Sequence, residues 1–138
     1  MHGFKVFAIV LPVFSVIDLL WLGVVMKAFY SNELGELARR DGTSLAPRWW
    51  AAILVYVLIP GGLVLFVRPL LGLNASVWQA IAWGAVYGMI VYGVYDLTNL
   101  AVLNRWTIRM TFADIAWGCA LCGMVSVVMW LADRWLST

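Results

Sequence analysis

Apolar residues fill four intervals of this chain, roughly 4–26, 49–67, 77–103 and 112–135, and most charged residues gather between them. Each interval can cross a hydrocarbon core of about 30 Å at about 1.5 Å per helical residue. A bilayer offers the backbone no hydrogen-bond partner, so a spanning segment is either a helix or a strand of a closed barrel. Barrel strands alternate apolar and polar positions over about ten residues, whereas runs such as "AAILVYVLI" at 51–59 are apolar throughout. The pattern predicts an all-α protein, a four-transmembrane-helix bundle forming a single integral membrane domain over residues 1–138.

Composition supports this reading. The 138 residues are 64% hydrophobic and only 12% charged, with nine tryptophans and a mean hydropathy of +0.94; soluble domains carry about 25% charged residues. The first interval runs past Asp18 into "LLWLGVVM" without a small-residue cleavage site, so it reads as a helix and not as a signal peptide. Asn74-Ala75-Ser76 matches a glycosylation sequon but also suits a helix N-cap before the third span, the reading preferred here. Cys119 and Cys122, three residues apart in the fourth span, read as packing residues and form no disulfide framework.

Basic residues set the expected orientation. Lys27, Arg39, Arg40, Arg48, Arg105 and Arg109 lie on the side of the first and third loops, against Lys5, Arg68 and Arg134 on the other. Loops 27–48 and 104–111 are therefore expected in the cytoplasm and both termini outside. In the first loop, "SNELGELARRDGTSLAPRW" spaces Leu34, Leu37 and Ala38 like a short amphipathic helix lying on the membrane surface. Trp21, Trp49, Trp50, Trp78, Trp106 and Trp135 fall near span ends and read as interfacial anchors. Trp83, Trp117 and Trp130 lie deeper, where packing or a cavity wall would hold them. Ala80, Gly84 and Gly88 form a small-residue stripe suited to close helix contact, either inside the bundle or in a homodimer.

Three acids stand inside spans: Asp18 in "VIDLLWLG", Asp96 in "VYDLTNL" and Asp114 in "FADIAWG". Insertion scales put an acid at mid-membrane at a cost of about 2.5–3.5 kcal/mol, so each is expected to face the bundle interior. The first and third helices run one way and the fourth the other, which brings all three carboxylates toward the side of the first and third loops. Asn99 follows Asp96 by three residues and shares its direction, and Arg105 and Arg109 come from the loop at the same end. A polar cluster open to that side is the expectation, with Asp96, Asp114 and Asp18 as candidate catalytic residues.

"YDLTNLAVL" followed by Trp106 and "DIAWG", with an early "DLLWLG", resembles domain-of-unknown-function family 2177, small bacterial membrane proteins, over essentially the whole chain. The residues carrying the likeness are Asp18, Trp21, Tyr95, Asp96, Thr98, Asn99, Trp106, Asp114 and Trp117. The resemblance implies four transmembrane helices in a bacterial inner membrane and assigns no activity. Asn99, Thr98, Tyr95, Arg105, Arg109, Trp21 and Trp117 complete the candidate ligand-binding set. His2 is the only histidine and stands at a terminus expected to be mobile, so no metal site and no cofactor is expected. Phosphate-loop and hydrolase motifs are absent and the basic residues are few, which argues against nucleic-acid binding. Three classes remain: an enzyme or enzyme subunit acting on a membrane lipid or small amphiphile, with an arginine holding a headgroup phosphate; a small proton-linked carrier; and a structural or accessory subunit.

Overall fold

All four intervals are helices in the computed structural model, which describes residues 1–72 and 74–137. The spans run His2–Val25, Trp49–Leu70, Val77–Val102 and Ile108–Trp135. The first is α1 (His2–Leu20) continued by a wide π-turn, Trp21–Val25; the second is α3 (Trp49–Gly62) continued by a second π-turn, Leu63–Val67, and the short turn Arg68–Leu70. Pro60 lies just before that second π-turn and removes one N–H from the helical ladder. The third and fourth spans are the uninterrupted helices α4 (Val77–Val102) and α5 (Ile108–Trp135). Their N-termini are capped by side chains: Ser76 and Gln79 form a reciprocal capping box, and Thr107 accepts from the Met110 amide. The serine of the sequon is thus the cap that the sequence suggested.

Helices α4 and α5 form the tightest pair, and the small-residue stripe is the reason. A Cβ on Gly84 would overlap Ser126 and the Cys122 carbonyl, and one on Gly88 would lie 2.6 Å from the Gly118 carbonyl carbon. The backbones meet almost directly, and Ala80, Gly84 and Gly88 are buried. Of the two alternatives, the stripe is seated inside the bundle, against α5. Helix α1 packs on both α5 and α3, burying Val6, Val10, Phe14 and Asp18, a stripe at four-residue spacing that ends in an acid.

The second span meets the third chiefly through the Leu63–Val67 turn, with Tyr87 donating to the Ile59 carbonyl at 3.0 Å. Nearer the first loop the body of α3 stands off from α4. At the terminal end His2 is pinned where mobility was expected: its Nε2 lies 2.8 Å from Asp133, which also accepts from Arg68 Nε at 2.5 Å.

The first loop differs from expectation. Its helix α2 spans Lys27–Leu34, a tight turn follows over Gly35–Leu37, and Ala38 is extended, so Leu34, Leu37 and Ala38 do not share one helical face. A small hairpin pairs β1 (Arg40–Asp41) with β2 (Ser44–Leu45), turning at Gly42 with φ of 59°, a left-handed conformation that favours glycine. Helix α2 folds back over the bundle instead of lying only on its rim: Tyr30 is buried against Trp106 and Met110. Glu33 bonds to Thr107 and lies 3.6 Å from Arg109, and Glu36 pairs with Arg105, so the first loop is fastened to the third.

Candidate functional site

Counted from the loop-side ends of their spans, Asp18 and Tyr56 each stand seven residues deep, and Asp96 and Asp114 six. At about 1.5 Å per residue, all four lie about 10 Å below those ends. Matched depth lets groups from four helices meet in one layer. Asp18 Oδ1 accepts from the indole N–H of Trp117 at 2.8 Å, and its Oδ2 from the Tyr56 hydroxyl at 2.7 Å. Asp114 Oδ1 accepts from Tyr30 at 2.5 Å, whose oxygen in turn lies 3.4 Å from the Trp21 indole nitrogen. The rings of Trp21 and Trp117 stack at 4.1 Å with 4° between their planes, tying the two halves together. Each of these acids is therefore held by neutral aromatic donors from other helices.

Tyr30 lies outside the spans, and burial, reinforced by the neighbouring Asp114 carboxylate, holds its phenol above the ordinary value near 10. It stays a protonated donor to Asp114 at neutral pH. Asp96 faces Asp114 and the indole of Trp106 across the α4–α5 wall. It is 0% exposed, and its polar neighbours there are a second acid and an indole N–H. A fully buried carboxyl so placed is costly to retain.

These groups surround a cavity of about 510 Å³, within the size range of small-ligand sites. Asp18 and Asp114 form its polar end, Tyr92, Trp106 and Trp117 its aromatic walls, and Tyr30 and Leu34 of α2 its loop-side cover. Its flank lies between α3 and α4, where Val55, Leu58 and Tyr95 both line it and stay at least half exposed. With the helices standing apart there, the cavity opens sideways, toward where acyl chains would lie.

Not every expected residue joins. Asp18, Asp114, Tyr95 and Trp117 line the cavity, Trp21 backs it, and Asp96 sits behind its wall. Asn99 is half-buried beside Tyr95, whereas Thr98 is exposed. Arg105 and Arg109 stay outside: their side chains are 65% and 78% exposed, bound to Glu36 and Glu33, with Arg109 also over the Phe29 ring. Trp106 and Trp21, read as anchors, belong to the site, while Trp49, Trp50, Trp78 and Trp135 are exposed as anchors would be. Trp117, the deep tryptophan, is a wall of the cavity. Tyr30, Tyr56 and Met110 were not anticipated. Counting depth would have found Tyr56, since it matches Asp18 residue for residue; nothing local marks Tyr30, whose place depends on how the loop folds back.

Fold and site together define an integral membrane protein of four helices whose buried acids border a cavity in the bundle. Over residues 3–131 the chain matches domain-of-unknown-function family 2177, described as a predicted membrane protein, and it belongs to that family. No curated protein and no solved structure matches it.

Proposed function

We propose that this protein takes a lipid or small amphiphile from the membrane into the cavity between its second and third spans and acts on it there, as an enzyme or the subunit of one. The observation that carries the reading is the side opening at Val55, Leu58 and Tyr95, which leads from the apolar flank to Asp18 and Asp114. An apolar entrance ending in polar groups suits a molecule with a tail and a headgroup, and the cover formed by Tyr30 and Leu34 would limit water at the polar end. Asp114 and Asp18 are the groups within reach for acid or base work, with Asp96 behind Asp114 as its neighbour. A phosphate clamp by Arg105 or Arg109 is not part of this reading, because both are engaged by glutamates outside the cavity.

A transmembrane carrier is the less supported alternative. Its path would have to continue toward the termini, where α4 and α5 pack backbone on backbone. The reading includes a bacterial inner-membrane setting with loops 27–48 and 104–111 cytoplasmic, supported by the six-against-three distribution of basic residues.

The test is lipid profiling of membranes from cells lacking the protein, complemented with wild type, Asp114→Asn or Asp96→Asn. A lipid class that changes on loss and returns with wild type but with neither variant, at equal protein level, is the expected result. Restoration by all three chains would return the acids to a structural role.

A further inference from the structure

The headgroup class can be inferred from the side chains around the cavity, given the reading of that cavity as an amphiphile site. Its polar end carries two carboxylates, Asp18 and Asp114, and among the described residues no lysine, arginine or histidine lines it. Neutral aromatic donors orient those carboxylates, Trp117 and Tyr56 on Asp18 and Tyr30 on Asp114, and the further neighbour of Asp114 is another acid, Asp96. The acids are thus oriented but not neutralised by a cationic side chain. Around them stand the rings of Trp117, Tyr92 and Trp106, whose faces are electron-rich and attract cations. The nearest arginines are held outside by Glu33 and Glu36.

An anionic headgroup would meet only like charge in this box. A neutral one would draw nothing from the acids' charge or from the faces of the rings. A positively charged nitrogen answers both the acids and the rings. We propose that the cavity binds an amphiphile with an organic ammonium headgroup, the nitrogen between Asp18 and Asp114 and the alkyl chain leaving through the side opening at Val55, Leu58 and Tyr95.

The experiment uses the full chain in a neutral maltoside detergent and reads tryptophan fluorescence, since Trp117 and Trp106 line the cavity. Three probes share one alkyl length and end in trimethylammonium, in its uncharged tert-butyl isostere, or in sulfate. The ammonium probe is expected to bind at least about tenfold tighter than the isostere, with the sulfate weakest. Asp114→Asn should remove most of that preference, read as the ratio of ammonium to isostere affinity in the same chain. Equal binding of ammonium and isostere, or a preference for sulfate, would overturn the ammonium assignment while leaving the amphiphile site standing. Binding of none of the three would remove both. Asp18→Asn is read only if it folds; otherwise Asp114→Asn and the wild-type probe series decide. Displacement of the bound ammonium probe by a short-chain phosphatidylethanolamine would identify a lipid headgroup as its source, and failure to displace it a single-chain amine; either supports the assignment.

Discussion

Asp18 and Tyr56 illustrate how differently two partners of one hydrogen bond can matter. Asp18→Ala removes the acceptor from two donors, the buried Trp117 indole and the half-buried Tyr56 hydroxyl. Orphaning such groups costs about 1–3 kcal/mol. Tyr56→Phe removes a single interhelical bond, and such bonds in membrane proteins average about 0.6 kcal/mol. Reversible unfolding in mixed micelles should therefore rank the alanine variant well below the phenylalanine variant; equal losses would mean that the Trp117 bond contributes nothing. Tyr30 gives a prediction about pH. Burial and Asp114 raise its pKa with the loop closed, so its contribution to closure is complete below about pH 10 and is lost only as the pH rises beyond that. Hydrogen exchange of the Lys27–Leu34 amides, corrected for the intrinsic rate, should show no step at about pH 10 in wild type, where a free phenol titrates. At neutral pH it should be faster in Tyr30→Phe, which lacks the bond to Asp114. A wild-type step at about pH 10 would mean that Tyr30 titrates as a free phenol and does not hold the loop.

At the scale of elements, the four spans could be read from apolar run length because the bilayer imposes length directly. The layer of acids could be read too, since alternating helix direction fixes which end each residue approaches. The use of the Ala80, Gly84 and Gly88 stripe could not, because the same small residues serve contact within a bundle and between copies; only the opposing Gly118, Cys122 and Ser126 decide it. That contact predicts Gly88→Ala to be among the costly single-atom changes. Its new Cβ meets the Gly118 backbone, which cannot rotate away, and overpacking of this kind costs about 1–3 kcal/mol. Gly23, in the π-turn after α1, has nothing within 4 Å of an added Cβ and makes the control. Gly23→Ala should leave the unfolding midpoint near wild type while Gly88→Ala lowers it. A tolerant Gly88 would mean that α4 and α5 are less closely seated than their glycines indicate.

For the whole molecule, the lesson lies in what brings Asp18 to Trp117 and keeps Arg105 and Arg109 away from both. The first pairing joins residues 99 apart and needs four helices at matched depth, which spacing along the chain approximates. The second depends on Glu33 and Glu36, loop residues whose positions follow from the fold-back of α2 and not from any period in the sequence. Proximity to the site along the chain therefore pointed to the arginines, and two glutamates of the first loop hold them outside it. The gap between α3 and α4 is likewise a property of the assembled bundle: one end is drawn together by Tyr87 and the Leu63–Val67 turn, and the other is left open. If that gap is the way in, closing it should stop binding without harming the fold. Val55 is 50% exposed at the mouth, and a tryptophan there adds bulk at the entrance without entering the core formed by α1, α5 and the Leu63–Val67 turn. Val55→Trp should weaken amphiphile binding by at least about tenfold, or about 1.4 kcal/mol. Its unfolding midpoint should match that of Leu65→Trp, a change at an exposed position outside the cavity. Undiminished binding in the folded Val55→Trp chain would move the entrance elsewhere, to the loop-side cover formed by Tyr30 and Leu34.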